Sequence, residues 1–259
     1  MLRPRHGRPI PLLTLAMVGL VAGHAAGQPE IPLVTDRPDF TESALTVPSG
    51  HVQLESGYTF THTEGGDEHA LGEALLRVGV LDRLEARIGL GSYAWVEAPG
   101  DDPSGFEDPS LGLKVVLARE ETAGLAAALL AETTVPVGDD ELGEDDWQPE
   151  IRLAVSRDLS DVLALAANLG IARASQEGEG FDQKVASLSL GIGLGDRWGA
   201  YAETYGNFPA GLEEDDEGVL NGGLTFLVRP LLQLDARAGA GVTDAAPDFF
   251  AGVGLSKRW

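Results

Sequence analysis

The last stretch of the sequence, residues 249–259, reads FFAGVGLSKRW. Phe249, Val253, Leu255 and Trp259 share one parity, whereas glycine, serine and arginine dominate the other. Successive side chains of a β-strand point to opposite faces, so this alternation predicts a strand with one apolar face. The question is whether that face meets a protein core or a lipid bilayer.

The same period-two alternation recurs along most of the chain, in segments of the length that membrane-spanning strands need. We therefore predict an all-β fold over residues 51–259, a transmembrane up-and-down antiparallel β-barrel of about 12 strands. The predicted strands are 51–62, 70–80, 84–95, 108–118, 123–137, 148–157, 162–174, 183–194, 198–208, 218–228, 232–242 and 248–259.

The links between these segments alternate between short and long, which predicts short periplasmic turns and longer external loops. The longer links, at 63–69, 96–107, 138–147, 175–182, 209–217 and 243–247, are rich in Asp and Glu and contain no Lys or Arg. A Greek-key sandwich has no reason to alternate its connections in this way. Alternation of polarity along the strands alone does not exclude a soluble periplasmic β-sandwich.

Charged residues fall on the less apolar face of several strands, and in a barrel this face lines the lumen. They form either a lining that selects solutes or a set of ion pairs that neutralises buried charge. The lumen-lining candidates are Glu55, Arg77, Glu85, Arg87, Lys114, Glu132, Arg152, Lys184, Glu203, Asp235 and Arg237.

The alternating last strand, with an aromatic residue at its end, resembles the C-terminal strand of outer-membrane barrels. The resemblance implies that Phe249, Val253, Leu255 and Trp259 form an assembly signal for the barrel-assembly machinery. It also implies that outer-membrane lipid and lipopolysaccharide surround the protein.

The beginning of the sequence predicts export. Arg3, Arg5 and Arg8 precede an apolar run over 10–22, which is shorter than the roughly 20 residues of a membrane-spanning helix. We predict a signal peptide over residues 1–27, with cleavage after Ala25 or Gly27. Residues 28–50 lack the strand pattern and are predicted to form an N-terminal periplasmic segment that tucks into the barrel end.

Composition narrows the function classes. A formal net charge of −23 disfavours nucleic acid as a partner, and the absence of cysteine excludes thiolate chemistry. His51, His62 and His69 are accompanied by no serine motif, so we predict neither an enzyme nor a cofactor. The acidic runs in the loops lack the spaced ligands of a dedicated calcium loop.

A motif after the signal peptide, Thr35-Asp36-Arg37-Pro38-Asp39-Phe40-Thr41-Glu42, resembles the "MetA-pathway of phenol degradation" family of outer-membrane transporters. Weaker matches follow at 47–50, 53–58, 109–114, 221–225 and 247–256, so the resemblance covers residues 35–259. It implies a barrel that passes small solutes, aromatic or hydrophobic compounds among them. The alternatives are a structural or surface-interaction barrel with a blocked lumen and, third, an outer-membrane enzyme.

Overall fold

The computed structural model describes residues 31–100, 102–144, 146–176, 179–210 and 215–259. The predicted signal peptide and residues 28–30 lie outside this part of the chain. Within it, strands dominate, and α1 (Glu120–Ala123) is a single helical turn. No helix among the described residues has the length and hydropathy of a membrane span.

The strands follow one another in antiparallel order along the chain. They are β1 Val52–Thr63, β2 Gly66–Leu81, β3 Leu84–Gly89, β4 Tyr93–Glu97, β5 Ser104–Phe106, β6 Ser110–Ala118, β7 Ala126–Thr134, β8 Pro149–Ser160, β9 Leu163–Gln176, β10 Glu179–Gly193, β11 Trp198–Ala210, β12 Glu217–Arg229, β13 Leu232–Gly241 and β14 Phe249–Arg258.

The sheet closes on itself because β1 pairs with both β2 and β14. β3 and β4 pair with successive halves of β2, and β5 and β6 pair in turn with β4 and β3. β3 and β4 together therefore form one barrel strand with a short interruption, as do β5 and β6, and the ring has twelve strands. The predicted closed antiparallel barrel is confirmed.

The two faces of the wall differ in polarity as a membrane barrel requires. On β6, Leu113 and Val115 are 50% and 39% exposed, whereas Lys114 between them is completely buried. A soluble protein exposes its charges and buries its leucines, so the arrangement is inverted. The apolar outer face suits lipid and the polar inner face lines a lumen, which distinguishes this barrel from a soluble sandwich.

The strict alternation of short and long links is wrong in detail. Residues 66–69, predicted to lie in a loop, pair with β1, so that only Glu64 and Gly65 turn the chain between β1 and β2. Similarly, β9 and β10 extend to Gln176 and from Glu179. Both hairpins continue their backbone pairing past the apolar stretch on which the sequence-based strand limits rested. At the opposite end, the link between β6 and β7 is lengthened by α1.

The described part of the N-terminal segment, residues 31–50, lies inside the barrel. We call it the lumen segment; it has an ascending arm (31–37), an apex (38–41) and a returning arm (42–50). It contacts inward-facing side chains of β1, β3, β9 and β11, strands on different sides of the ring. The segment was predicted to tuck into the barrel end. It reaches further into the barrel, because its apex contacts Glu203 near the middle of β11.

The last strand presents its apolar residues outward. Phe249, Val253, Leu255 and Trp259 are all exposed on the outer face of β14. The backbone of Trp259 also exchanges two hydrogen bonds with Val52, at 2.8 and 3.3 Å, at the seam where the barrel closes. Its indole ring packs against the ammonium of Lys257, 4.5 Å from the ring centroid.

Candidate functional site: the occupied lumen

Most lumen-lining candidates lie on the inner face of the wall. Arg77, Lys114, Glu55 and Glu85 are fully buried, and Arg87, Glu203 and Asp235 nearly so. The side chains of Glu132, Arg152 and Arg237 are partly accessible within the lumen. The inward-facing charges therefore lie in a filled interior, and their partners come largely from the lumen segment.

Lys184 is the one candidate on the wrong face. Its side chain is exposed and its backbone register pairs it with Ile171 and Phe208, both of which are also exposed on the outer wall. The inward-facing residues of β10 have the opposite parity, as Val185 and Ser187 show. A lysine near the end of a lipid-facing strand can direct its ammonium towards the polar interface.

Asp36 is the charge centre of the lumen segment. Its carboxylate lies 3.1 Å from Arg77 Nη1, 2.6 Å from Arg87 Nη1 and 2.9 Å from Lys114 Nζ. Burial opposes ionisation of this carboxyl group, but the charges of Arg77, Lys114 and Arg87 outweigh it and hold the pKa well below 3.8. The three wall cations thus share one buried anion that the wall itself does not supply.

Carboxylates of the wall bind the backbone of both arms. Glu55 accepts hydrogen bonds from the backbone N–H groups of Asp36 and Arg37, at 3.0 and 2.8 Å. Glu85 accepts one from the Val47 N–H at 2.7 Å, so the returning arm is held in the same way. Arg77 lies between these two carboxylates, 2.8 and 2.9 Å from them. The buried wall charges are therefore satisfied as a network, which low-dielectric burial requires.

Glu203 binds the apex of the segment. It accepts hydrogen bonds from the N–H groups of Phe40 and Thr41, at 2.9 and 2.7 Å. The Thr41 hydroxyl also lies 2.9 Å from the hydroxyl of Ser187. On β9, the Asn168 side chain accepts a hydrogen bond from the Glu42 N–H and donates one to the Glu42 carbonyl, at 2.7 and 3.0 Å.

Phe40 is enclosed between two inward-facing side chains. Its ring stacks on Tyr205 with centroids 4.2 Å apart, and the Arg152 guanidinium lies 4.8 Å from its centroid. Both stacking and cation–π contacts gain strength when they are desolvated. The aromatic residue of the motif is thus an anchor at the innermost point of the segment.

Asp39 differs from Asp36 in its surroundings. Its carboxyl group is near Glu203 and 3.3 Å from the Ser189 hydroxyl. Burial, and after it the negative charge of Glu203, raise the pKa of Asp39 well above 3.8. The motif therefore carries two aspartates whose pKa values are shifted in opposite directions, that of Asp36 downwards and that of Asp39 upwards.

Two glycines in the wall make room for Arg37. A Cβ at Gly57 would lie 2.3 Å from the Arg37 guanidinium, and one at Gly254 would lie 2.5 Å from it. The guanidinium can therefore reach Glu73 at 2.8 Å and Asp235 at 3.5 Å. The glycine-rich inner face fits the lumen segment closely at this place.

Two cavities remain beside the segment, both against the inner faces of β7 and β8. The larger, about 730 Å³, lies at the end of the barrel where the Asp82 turn is located. The smaller, about 40 Å³, lies deeper and is lined by Glu42, Leu130, Glu132, Glu150 and Arg152. The lumen is thus filled incompletely, and part of the free space lies along β7 and β8.

Sequence reasoning missed the uncharged wall residues that hold the segment, namely Gln53, Asn168, Ser187 and Ser189. They have the same inward parity as the charged candidates, and this parity is the signal that could have identified them.

The histidines of β1 and β2 lie outside the lumen. His69 accompanies Tyr58 and Trp95 on the outer wall, and His62 pairs with Asp67 close to the β1–β2 turn. Among the described residues, no group of three or more His, Asp or Glu side chains could hold a metal ion.

Comparisons with known proteins agree with this architecture. The sequence profile of the family described as "Putative MetA-pathway of phenol degradation" matches residues 35–259. An outer-membrane channel from Pseudomonas putida F1 has a similar structure, with a TM-score of 0.65, 16% identity, and coverage of 83% of this chain and 98% of that one. The NanC porin (8% identity, 80% and 98% coverage) and the KdgM porin (8% identity, 79% and 98% coverage) both have TM-scores of 0.56. No curated protein matches the sequence.

Proposed function

The chain belongs to the MetA-pathway of phenol degradation family, and from this membership and its lumen we propose that it is an outer-membrane channel for small solutes. The observation that carries the proposal is the incompletely filled lumen. Twelve strands enclose more space than the wall side chains occupy, and the cavities beside the segment lie one beyond the other along the same wall. The three similar structures, all channels or porins by name, support the same function.

The lining of these cavities favours small solutes with apolar surface, among them the aromatic compounds that the family name suggests. Leu45, Val47, Val116 and Ala126 line the larger cavity. Three carboxylates and one guanidinium line the smaller one and give it a negative balance that discourages anions. The predicted export signal and the lipid-facing outer wall are consistent with the outer membrane as its location.

The second candidate is a structural or surface-interaction barrel with a permanently blocked lumen, which the dense network around Asp36 favours. An enzyme has less support, because His62 and His69, which contact Asp67 and Tyr58, lie on the outer wall and not in the lumen. A swelling assay separates the first two functions. We expect liposomes containing the full mature chain to admit glycerol-sized neutral solutes and to exclude trisaccharides. Swelling no faster than in protein-free liposomes would favour the blocked barrel.

A further inference from the structure

The larger cavity is a vestibule between the returning arm and the wall. The returning arm contributes Leu45, Val47 and Pro48 to it, and the inner faces of β6, β7 and β8 contribute Val116, Ala126 and Ser156. The returning arm and strands β6 and β7 both contribute apolar side chains to it, and its lining also carries charged groups, among them Asp82, Arg119 and Asp158. A solute leaving or entering the barrel at this end can occupy this space without displacing the lumen segment.

The smaller cavity lies further along the same two walls. Glu42 precedes Leu45 on the returning arm, and Leu130 and Glu132 follow Ala126 on β7. On the antiparallel strand β8, Glu150 and Arg152 precede Ser156, so the order is the same. The two cavities are therefore successive parts of one track, separated by a short stretch of each wall.

The short stretch between the two cavities is formed mainly by alanine side chains. Ala44 of the returning arm packs in one apolar cluster with Ala128 and Ala154 of the wall, and the three residues are 1%, 0% and 0% exposed. Leu130 borders this cluster on the side of the smaller cavity. Alanine methyl groups form neither hydrogen bonds nor ion pairs, so parting them breaks no polar interaction between the side chains of the seal.

We propose, resting on the channel function above, that solutes cross beside the lumen segment along the inner faces of β7 and β8. Ala44, Ala128 and Ala154 form the constriction, which we call the alanine seal. A short apolar constriction excludes water and ions by dewetting while closed. The solutes it suits are small and uncharged with apolar surface, and they pass when the returning arm moves by about the width of a methyl group.

A pair of matched substitutions tests the route by closing it. Ala128→Leu adds bulk to the alanine seal, whereas Ala127→Leu makes the same change on the opposite face of β7. We expect Ala128→Leu to abolish swelling in small neutral solutes and Ala127→Leu to leave it unchanged. Equal swelling of the two variants, or faster swelling of Ala128→Leu, would overturn the assignment.

A second pair tests the route by widening it. Leu130→Ala removes the side chain at the rim of the alanine seal, and Leu129→Ala removes a lipid-facing one, 40% exposed. Because the space left by a buried leucine is retained in part, we expect Leu130→Ala to raise the swelling rate about two- to threefold. Leu129→Ala should match the wild type. Heat-modifiable migration on gels identifies any variant that fails to fold.

The outcomes separate this inference from the channel function. If the wild type admits small solutes and both inward substitutions behave like their outward controls, the channel stands and the route beside β7 and β8 is wrong. If neither the wild type nor Leu130→Ala admits any solute, the channel function itself fails.

Discussion

Asp36 is the side chain whose loss should most weaken the occupied lumen. Asp36→Asn leaves Arg77, Arg87 and Lys114 without their shared anion, in surroundings where Arg77 and Lys114 are completely buried. Removing one partner of a buried ion pair typically costs about 3–5 kcal/mol. We expect a loss of that size in the free energy of unfolding, measured by urea titration in detergent.

Asp39→Asn is the matched control for this change, three residues away in the same segment. Because burial and the neighbouring Glu203 carboxylate raise the pKa of Asp39 well above 3.8 and so disfavour its charged form, a neutral amide replaces it with a smaller electrostatic change. A loss of stability equal to that of Asp36→Asn would contradict the opposite pKa shifts assigned to the two aspartates.

The raised pKa of Asp39 predicts that the stability of the fold depends on pH. A pKa raised in the folded state means that protonation stabilises the fold, fully so below the ordinary value near 3.8. This stabilisation is lost as the pH rises through the raised pKa of Asp39. The thermal midpoint of the gel-migration shift should therefore fall more steeply as the pH rises above 3.8 in the wild type than in Asp39→Asn. Parallel profiles of the two proteins would refute the raised pKa.

Individual inward-facing charges could be predicted from the sequence because a strand fixes side-chain parity. The contacts of Asp36 could not, since no local rule links it to Arg77, Arg87 and Lys114 across the lumen. The motif and the wall charges were recognised separately, and only the fold brings them together. Lys184 shows the limit of parity, because the inward face of β10 carries Val185 and Ser187 and not the parity to which Lys184 belongs.

The two faces of β6 make a prediction about adjacent residues. Val115→Arg places a charge on the lipid face, which should cost about 2–4 kcal/mol near the bilayer midplane. Lys114→Gln, on the lumen face, should also be destabilised, because it removes the buried partner that lies 2.9 Å from the Asp36 carboxylate.

Folding into lipid vesicles and into short-chain detergent micelles separates these two effects. Val115→Arg should be impaired chiefly in the thick bilayer, whereas Lys114→Gln should be destabilised in both, because its defect lies in the lumen. Equal behaviour of the two variants in both environments would argue against the assigned faces.

A deletion of Trp259 tests whether the last strand is an assembly signal. Deleting it removes an exposed interfacial aromatic ring and the two backbone hydrogen bonds with Val52 at the closing seam. We expect lower outer-membrane levels of the deletion variant, measured by fractionation, and near-normal levels of Trp259→Phe, which retains an aromatic ring and the backbone. Wild-type levels of the deletion variant would show that this end is no assembly signal.

The strand pattern of the sequence predicted the ring because period-two alternation and turn residues are local properties. Strand ends were less accurate where β1, β2, β9 and β10 continue into polar sequence, since backbone pairing there needs no apolar face. The interruptions of the wall at 90–92 and 107–109 were also missed. Nothing in the alternation distinguishes a continuous strand from a bent one.

The occupied lumen is the property of the complete barrel that the sequence left open. Residues 28–50 lack strand periodicity, and such a stretch is equally compatible with a periplasmic tail or an internal segment. What decides the matter is the inner face, because its glycines leave space for the segment and the wall cations Arg77, Arg87 and Lys114 find a shared carboxylate partner, Asp36, on it. The proposed route then follows from the side of the lumen that the segment does not fill.

A disulfide between the segment apex and the wall tests most directly whether solutes pass while the apex of the lumen segment stays anchored inside the barrel. The hydroxyls of Thr41 and Ser187 lie 2.9 Å apart, and the chain contains no cysteine, so Thr41→Cys/Ser187→Cys offers one defined crosslink. We predict that liposomes with the oxidised and the reduced double variant swell at the same rate in small neutral solutes. Swelling that appears only after reduction would contradict this account, because it would mean that the lumen segment must leave for the channel to open.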